Sequence, residues 1–357
     1  MSILFALLAI ADWSDFNSKG LALHRAGSYR EAAIAFETGM REAGTDRAAR
    51  ARLANNLGAA YYSLGNAAAA ERAYRTALAD WETVHAPASE DRAVCRLNLA
   101  VLLRGSARYA DAERFALEGI AELRAANAPR CKIASGLQTL AEIARLTGRH
   151  DEAAAHLVSA NKELDANPDP LVRAHVRQAE AALWQDRGQS RQAEPLLRVA
   201  LVAFESAAGG SPPQAVAVRV ALGQALLGCG RVDEARTMLE LGLESTERIY
   251  GPAHLRAAIA ANNLAQAYLA GRRLAEAEPL YRRALEIFEA APGHTVDVAK
   301  ILSNLGDLFV AQGKSRGAER LYRRALEAWP DEAVQTKLVA LLERERRFTE
   351  VKRLRSR

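Results

Sequence analysis

Side-chain amides recur at fixed distances before a set of turn positions, and an amide is a neutral group that offers both a donor and an acceptor. The turn positions are residues 65, 107, 148, 188, 230, 272 and 313. The places ten, nine, six and three residues before them hold Asn55, Asn56 and Tyr62; Asn98 and Arg104; Gln138, Thr139, Glu142 and Arg145; Gln178 and Gln185; Gln224; Asn262, Asn263 and Gln266; and Asn304 and Asp307. On a helix these places form one stripe, with the ninth at its edge. Such a stripe can pair with the backbone of an extended polypeptide irrespective of its sequence. It can equally bridge neighbouring helices. Asparagine is a poor helix former, so its repeated use inside helices needs one of these reasons. Arg104, Arg145 and Lys300 would favour an acidic ligand.

The other chemistry-bearing side chains do not assemble into a reaction centre. Histidines stand at 24, 85, 150, 156, 175, 254 and 294. His85, His254 and His294 occupy equivalent loops, which is the placement of a structural feature. His150 and His156 are six apart and do not share a helix face. Cys95, Cys131 and Cys229 form no CxxC pair, so a zinc site is not expected and buried free thiols are; Cys95 and Cys131 could in principle meet. No nucleophile elbow, phosphate loop, metalloprotease helix or dinucleotide fingerprint is present. The sequence therefore predicts no enzyme, no cofactor and no metal.

The elements that must position the amides follow from a repeat. Ala-x-x-x-aromatic/Leu-x-x-Ala/Gly recurs as Ala32–Phe36–Gly39, Ala70–Tyr74–Ala77, Ala112–Ala116–Gly119, Ala153–Leu157–Ala160, Ala193–Leu197–Ala200, Ala235–Leu239–Gly242, Ala277–Tyr281–Ala284 and Ala318–Tyr322–Ala325. Five residues earlier lie the turn positions Gly27, Gly65, Ala107, Gly148, Gly188, Gly230, Arg272 and Gly313. Seven residues before those is another small residue: Gly20, Gly58, Ala100, Ala141, Ala181, Gly223, Ala265 or Gly306. Small residues on both sides of a turn let two antiparallel helices approach closely. The larger residue fills the groove between them, and the last small residue admits the next repeat. One unit repeated along the chain describes an α-solenoid. A propeller of similar period is disfavoured by the scarcity of β-branched runs, and HEAT arrays do not share the small–turn–small code.

Ala261-Asn262-Asn263-Leu264-Ala265-Gln266-Ala267-Tyr268, with Glu276-Ala277-Glu278-Pro279-Leu280-Tyr281-Arg282-Arg283-Ala284-Leu285-Glu286, resembles the long tetratricopeptide repeats of kinesin light chains. Asn55-Asn56-Leu57 and Asn304-Leu305-Gly306 repeat part of it, and the resemblance covers roughly residues 12–330. Successive turn positions differ by 38, 42, 41, 40, 42, 42 and 41 residues, against about 34 in the ordinary tetratricopeptide repeat. Repeats of this type occur widely in bacterial proteins unrelated to motors. The resemblance implies a right-handed α-α superhelix of eight hairpins plus a C-terminal capping pair. It also implies a concave groove in which the matching asparagines hold an extended peptide. The function expected is that of a non-enzymatic interaction scaffold; the rivals are a peptide-sensing regulator and the non-catalytic part of a processing enzyme. Repeat five departs from the pattern, since Glu180 falls where other repeats carry a core leucine.

Composition bounds the rest. The net charge is +5, and arginines are scattered near glutamates along helix faces, which argues for solvated surfaces and against a nucleic-acid patch. Basic residues crowd only the C-terminus: Arg344, Arg346, Arg347, Lys352, Arg353, Arg355 and Arg357. That cluster reads as a solvated cap or as a surface for an acidic partner or anionic lipid. Residues 1–11 are apolar from Ile3 to Ile10 and end in Ala9-Ile10-Ala11. They read as a short export signal lacking a basic start, the alternative being a helix that caps repeat one. No other stretch approaches the ~18 apolar residues of a membrane span. The expected domains are a leader at 1–11, an eight-repeat array at 12–332 and a cap at 333–357 that covers Leu321, Leu326 and Trp329. The Gly209-Gly210-Ser211-Pro212-Pro213 loop is the expected hinge, and Pro195 and Pro279 are expected in the first turn of a helix, where the missing N–H goes unmissed.

Overall fold

The computed structural model describes residues 12–84, 89–208, 212–291 and 293–355. The proposed leader, His85, part of the 209–213 loop and Arg357 lie outside them. Among the described residues there are eighteen helices and no strand. They follow as pairs: α1 Trp13–Arg25 and α2 Tyr29–Glu42; α3 Arg47–Ser63 and α4 Ala67–Thr83; α5 Glu90–Gly105 and α6 Tyr109–Ala125; α7 Arg130–Leu146 and α8 His150–Ala166; α9 Pro170–Asp186 and α10 Ser190–Ala208; α11 Pro213–Gly228 and α12 Val232–Tyr250; α13 Leu255–Ala270 and α14 Leu274–Glu289; α15 Thr295–Ala311 and α16 Ser315–Ala328; α17 Glu332–Arg344 and α18 Phe348–Arg355. The fold is thus an all-α array of consecutive hairpins. The chain divides into two compact units, residues 1–179 and 180–357, with the division inside α9 and not at the 209–213 loop.

Each hairpin turn closes in the same way. The residue at the turn position has positive φ: 75° at Gly65, 78° at Gly230, and also 57° at Ala107 and 60° at Arg272, where a Cβ is present. The next residue donates its N–H to the carbonyl four before the turn, as Asn66 does to Tyr61 at 2.9 Å. This is the Schellman closure, and it ends the first helix without leaving its last carbonyls unpaired. Arg346 repeats the arrangement in α17–α18, at φ 59°. Side chains start several helices: Asp46 accepts from Ala49 N at 3.0 Å, Asn66 from Ala69 N at 3.1 Å and Asp331 from Ala333 N at 2.8 Å.

The closest packing lies inside each hairpin, and the buried side chains of successive hairpins join into shared clusters. A Cβ at Gly58 would lie 2.5 Å from Tyr74, one at Gly223 2.4 Å from Leu239 and one at Gly306 2.5 Å from Tyr322. The missing side chain is therefore the space that the large residue of the second helix occupies. Gly242 also makes room inside its own hairpin. A Cβ there would first meet Val220 of its own hairpin, at 2.9 Å, whereas one at Gly39 would meet both its own Phe16 and the following Leu53. Repeat five keeps step: Ala181, Ala193, Leu197 and Ala200 are fully buried, and Gly188 turns at φ 71°. Glu180 is half-buried there. Pro195 and Pro279 sit six residues into α10 and α14, past the first turn. Each helix continues with one backbone hydrogen bond fewer, a cost the packing on either side absorbs.

Ion pairs tie neighbouring hairpins. The residue after a turn reaches the carboxylate six places after the preceding turn: Arg108 to Glu71 at 2.9 Å, Arg149 to Glu113 at 2.8 Å, Arg231 to Glu194, Lys314 to Glu278 at 3.8 Å and Arg347 to Glu319 at 2.5 Å. Exposed pairs of this kind contribute about 0–1 kcal/mol each, so they fix spacing more than stability. The set is absent between α2 and α4, where Asn66 and Ala33 hold the two places, and it is interrupted again between α12 and α14, which Tyr268–Glu240 and Arg283–Glu247 contacts tie instead. Arg236 stands where the carboxylate would be, and Arg273 turns to Glu276 at 2.8 Å instead.

Candidate functional site

The first helices of the hairpins carry the amide stripe, and the structure shows what it does inside each unit. In the first unit Asn56 donates to Asn17 at 2.8 Å, and Asn98 donates to Asn55 at 3.0 Å. Asn55 in turn donates to Asn56 at 3.4 Å. The rule is simple: the side chain nine places before one turn donates to the side chain ten places before the previous turn. The second unit obeys it, with Asn304 donating to Asn262 at 3.0 Å and Lys337 to Ser303 at 3.0 Å. These rungs are inter-repeat bridges. Asn17 and Lys337 belong to the stripe although the sequence reading passed over them. Counting back ten from Gly27 and nine from Arg346 finds both.

Other residues of the first unit are also engaged with the protein. Gln138 and Arg104 both donate to the Glu142 carboxylate. Burial pulls the Arg104 guanidinium below its ordinary value, the neighbouring Tyr62 opposing this and Arg145 adding to it. Thr139 is buried and donates to the Ser135 carbonyl at 3.1 Å. Arg145 is half-buried, and Tyr62 is 44% exposed on the same stripe.

The second unit holds an open groove of about 420 Å³ across α11, α13, α15 and α17. Gln224, Asn262, Asn263, Gln266, Lys300 and Asn304 line it, so the structure brings together the stripe residues of repeats six to eight. Ile259, 46% exposed, adds an apolar wall. Asp307 does not face a ligand freely, because it accepts from Tyr322 Oη at 2.7 Å and pairs with Lys337 at 2.6 Å. Burial, and after it that carboxylate, holds the Tyr322 hydroxyl protonated well above its usual range. Among the described residues, Gln224, Gln266 and Lys300 have no hydrogen-bond or ion-pair partner. Asn263 is 2% exposed; its carbonyl oxygen accepts from Asn262 at 3.3 Å, and its Nδ2 has no acceptor.

Elsewhere the candidate features resolve into structure. His254 caps α13 by accepting from Arg256 N at 3.1 Å, and His294 lies 3.3 Å from Asp297. All three cysteines are free. Cys95 is buried, which pushes its thiol up to about 12, while Cys131 and Cys229 are only half-buried. In the basic C-terminus Arg347 pairs with Glu319, Glu345 and Glu350, and Arg355 with Glu343. Those two of the seven basic side chains are consequently paired within the protein. No helix among the described residues is long and apolar enough to cross a membrane.

Comparison with known proteins agrees with this geometry. A tetratricopeptide repeat model matches residues 49–125, 214–290 and 271–331, more than half of the chain, and a second matches 139–158. No curated protein matches. Among solved structures the chain is similar to a Rap protein complexed with Competence and Sporulation Factor, at 14% identity and TM-score 0.62, covering 92% of this chain and 99% of that one. It is also similar to BtubC (BKLC) from P. vanneervenii, at 21% identity and TM-score 0.51, covering 60% of this chain and 89% of that one. At these identities the likeness is one of fold. With the turn code, the hairpin packing and the repeat matches in agreement, the chain belongs to the tetratricopeptide repeat family.

Proposed function

We propose that the protein is a non-enzymatic interaction scaffold that takes an extended segment of a partner into the groove across α11, α13, α15 and α17. The observation that carries this is the set of unengaged polar side chains in one concavity: Gln224, Gln266 and Lys300 beside the apolar Ile259. Two free amides can each donate to and accept from a peptide backbone. A lysine without an ion pair favours a carboxylate on the ligand, and an exposed isoleucine offers a place for one aliphatic side chain. In the first unit the places that match Gln224 and Gln266 hold Ala59, Val101 and Glu142, and that carboxylate already accepts from Arg104 and Gln138. The similar Rap protein is complexed with Competence and Sporulation Factor, a property of that protein that is in keeping with a ligand-holding face on this fold.

The test is a selection from a randomised peptide display library on the full chain, followed by calorimetry with a recovered peptide. Gln266→Ala and Lys300→Glu should each weaken its binding, and a peptide without acidic residues should be insensitive to Lys300→Glu. Peptides that bind equally well to both variants would place binding elsewhere and overturn the assignment.

A further inference from the structure

At most joints inside the two units the residue after a turn pairs with the carboxylate six places after the preceding turn, as Arg108 does with Glu71. Between repeats one and two those places hold Asn66 and Ala33, which are too short to span the joint. Both instead line an open hollow of about 370 Å³ between α2 and the turn that joins α3 to α4. Repeats six and seven lack the same pair, but there arginines, Arg236 and Arg273, occupy both places. Two aliphatic side chains border the hollow at places where other hairpins are polar, small or proline. Leu64 stands one residue before its turn, where Ser106, Thr147, Gly271 and Gln312 stand in other hairpins. Ile34 stands seven after its turn, the place of Arg114, Thr237, Pro279 and Arg320. They are 42% and 57% exposed. One such side chain on a surface needs no explanation, but two on one hollow form a patch. Tyr61 donates to Glu37 at 2.5 Å, which ties the joint and spends the carboxylate of the lining. That bond, and after it burial, raises the Tyr61 hydroxyl, with the Arg72 charge opposing them. Neither Arg72 nor Arg30, which also lines the hollow, has an ion-pair partner among the described residues. Two cations against one carboxylate leave the neighbourhood positive.

We propose that this hollow is a second docking site, distinct from the groove of the second unit, for a partner segment that presents an aliphatic side chain beside a carboxylate. The aliphatic group fills the space over Ala33 and covers Ile34 and Leu64, taking apolar surface of all three out of water. The carboxylate pairs with Arg30, which has no carboxylate of its own. A basic segment meets two arginines and a polar one leaves the patch wet, so charge and apolarity together select the occupant. The segment binds beside a hairpin turn, and the site makes no use of the amide stripe of the first helices.

The experiment seals the hollow with the pair that other joints already carry. Ala33→Glu with Asn66→Arg should form the missing ion pair. Arginine is tolerated there, since Arg108, Arg149 and Arg231 precede α6, α8 and α12 at the same place. The probes are short peptides recovered by display on the full wild-type chain and sorted by their response to Gln266→Ala. Those indifferent to Gln266→Ala should carry an aliphatic residue next to Asp or Glu. Their affinity should fall roughly ten- to a hundredfold on sealing, the worth of burying one aliphatic side chain. Leu64→Ser should weaken them in the same direction, and display on Arg30→Glu should return basic sequences in place of acidic ones. Peptides of the second-unit groove should bind the sealed chain as before, so the two sites fail separately. Undiminished binding to the sealed chain overturns the proposal, as does an unchanged selection on Arg30→Glu or the recovery of no peptide indifferent to Gln266→Ala. If the sealed chain does not fold, Leu64→Ser and Arg30→Glu decide by the same criteria. Binding that appears only after Leu7→Asp with Leu8→Asp would assign the hollow to the chain's own residues 1–11, and a wild-type dimer that sealing dissolves would assign it to a second copy; either overturns the proposal.

Discussion

Asn98 donates a 3.0 Å hydrogen bond to Asn55, one repeat earlier and 43 residues away. Both sit on first helices and neither is open enough to leave its partner without cost. Replacing either by alanine removes one hydrogen bond and also improves helix propensity, so single substitutions mix two effects of opposite sign. A double-mutant cycle of Asn55→Ala and Asn98→Ala cancels the propensity contribution and should return a coupling of about 0.5–1.5 kcal/mol in chemical denaturation. A coupling indistinguishable from zero would mean the ladder contributes nothing to repeat stacking.

Gly306 is the floor on which Tyr322 rests, since a Cβ there would meet the ring at 2.5 Å. Helix propensity alone would make alanine better than glycine at this place by about 0.5–1 kcal/mol. Overpacking should win, with Gly306→Ala destabilising the second unit by about 1–3 kcal/mol. Gly105, which has open space around its Cβ position and ordinary helical φ, supplies the contrast, and Gly105→Ala should be neutral or slightly stabilising. Denaturation midpoints that move in the same direction for both would refute the notch.

The α17–α18 hairpin is proposed to act as the cap of repeat eight. Val334, Leu338, Leu341 and Leu342 are buried in one cluster with Leu302, Leu305, Leu308 and Tyr322, against which Leu321 and Leu326 pack. Trp329 is a correction to the expected footprint, because it remains 47% exposed with the hairpin in place. A chain ending at Asp331 would expose the cluster and should self-associate in light scattering and melt earlier. A monomeric truncated chain with an unchanged midpoint would remove the capping role.

His175 lies half-buried at the start of α9, where burial, and after it the Arg104 charge, hold its pKa below the ordinary 6.5, with Asp169 opposing. Between the lowered folded value and 6.5 the unfolded chain binds the extra proton, so stability rises with pH in that window. Its contribution is fully present above 6.5 and is lost as the pH falls towards the folded value. The melting temperature should therefore drop on acidification below 6.5, and His175→Gln should flatten that slope. An identical slope in the two chains would assign the acid sensitivity elsewhere.

The hairpins, their number and their turns were legible in the sequence because each depends on a local rule. A positive-φ residue must stand at the turn and a small residue must face a large one five places into the next helix's pattern; these spacings hold from Gly20–Phe36 to Gly306–Tyr322, with Ala116 of repeat three the one small residue at the large place. Even Ala107 and Arg272, which lack glycine's freedom, were assigned to the left-handed turn by spacing alone, and the Schellman closure holds them there. The stripe of amides was legible in the same way, because helical periodicity fixes which face a side chain shares with its neighbours. What the sequence left open was whether those amides face a ligand or each other. That depends on which places in consecutive helices come within hydrogen-bond reach, and reach is set by how the hairpins stack, not by any residue's own neighbours in the chain. Only the tertiary structure paired Asn98 with Asn55 and Asn304 with Asn262, spent Asp307 on Lys337, and left the buried Asn263 Nδ2 without an acceptor.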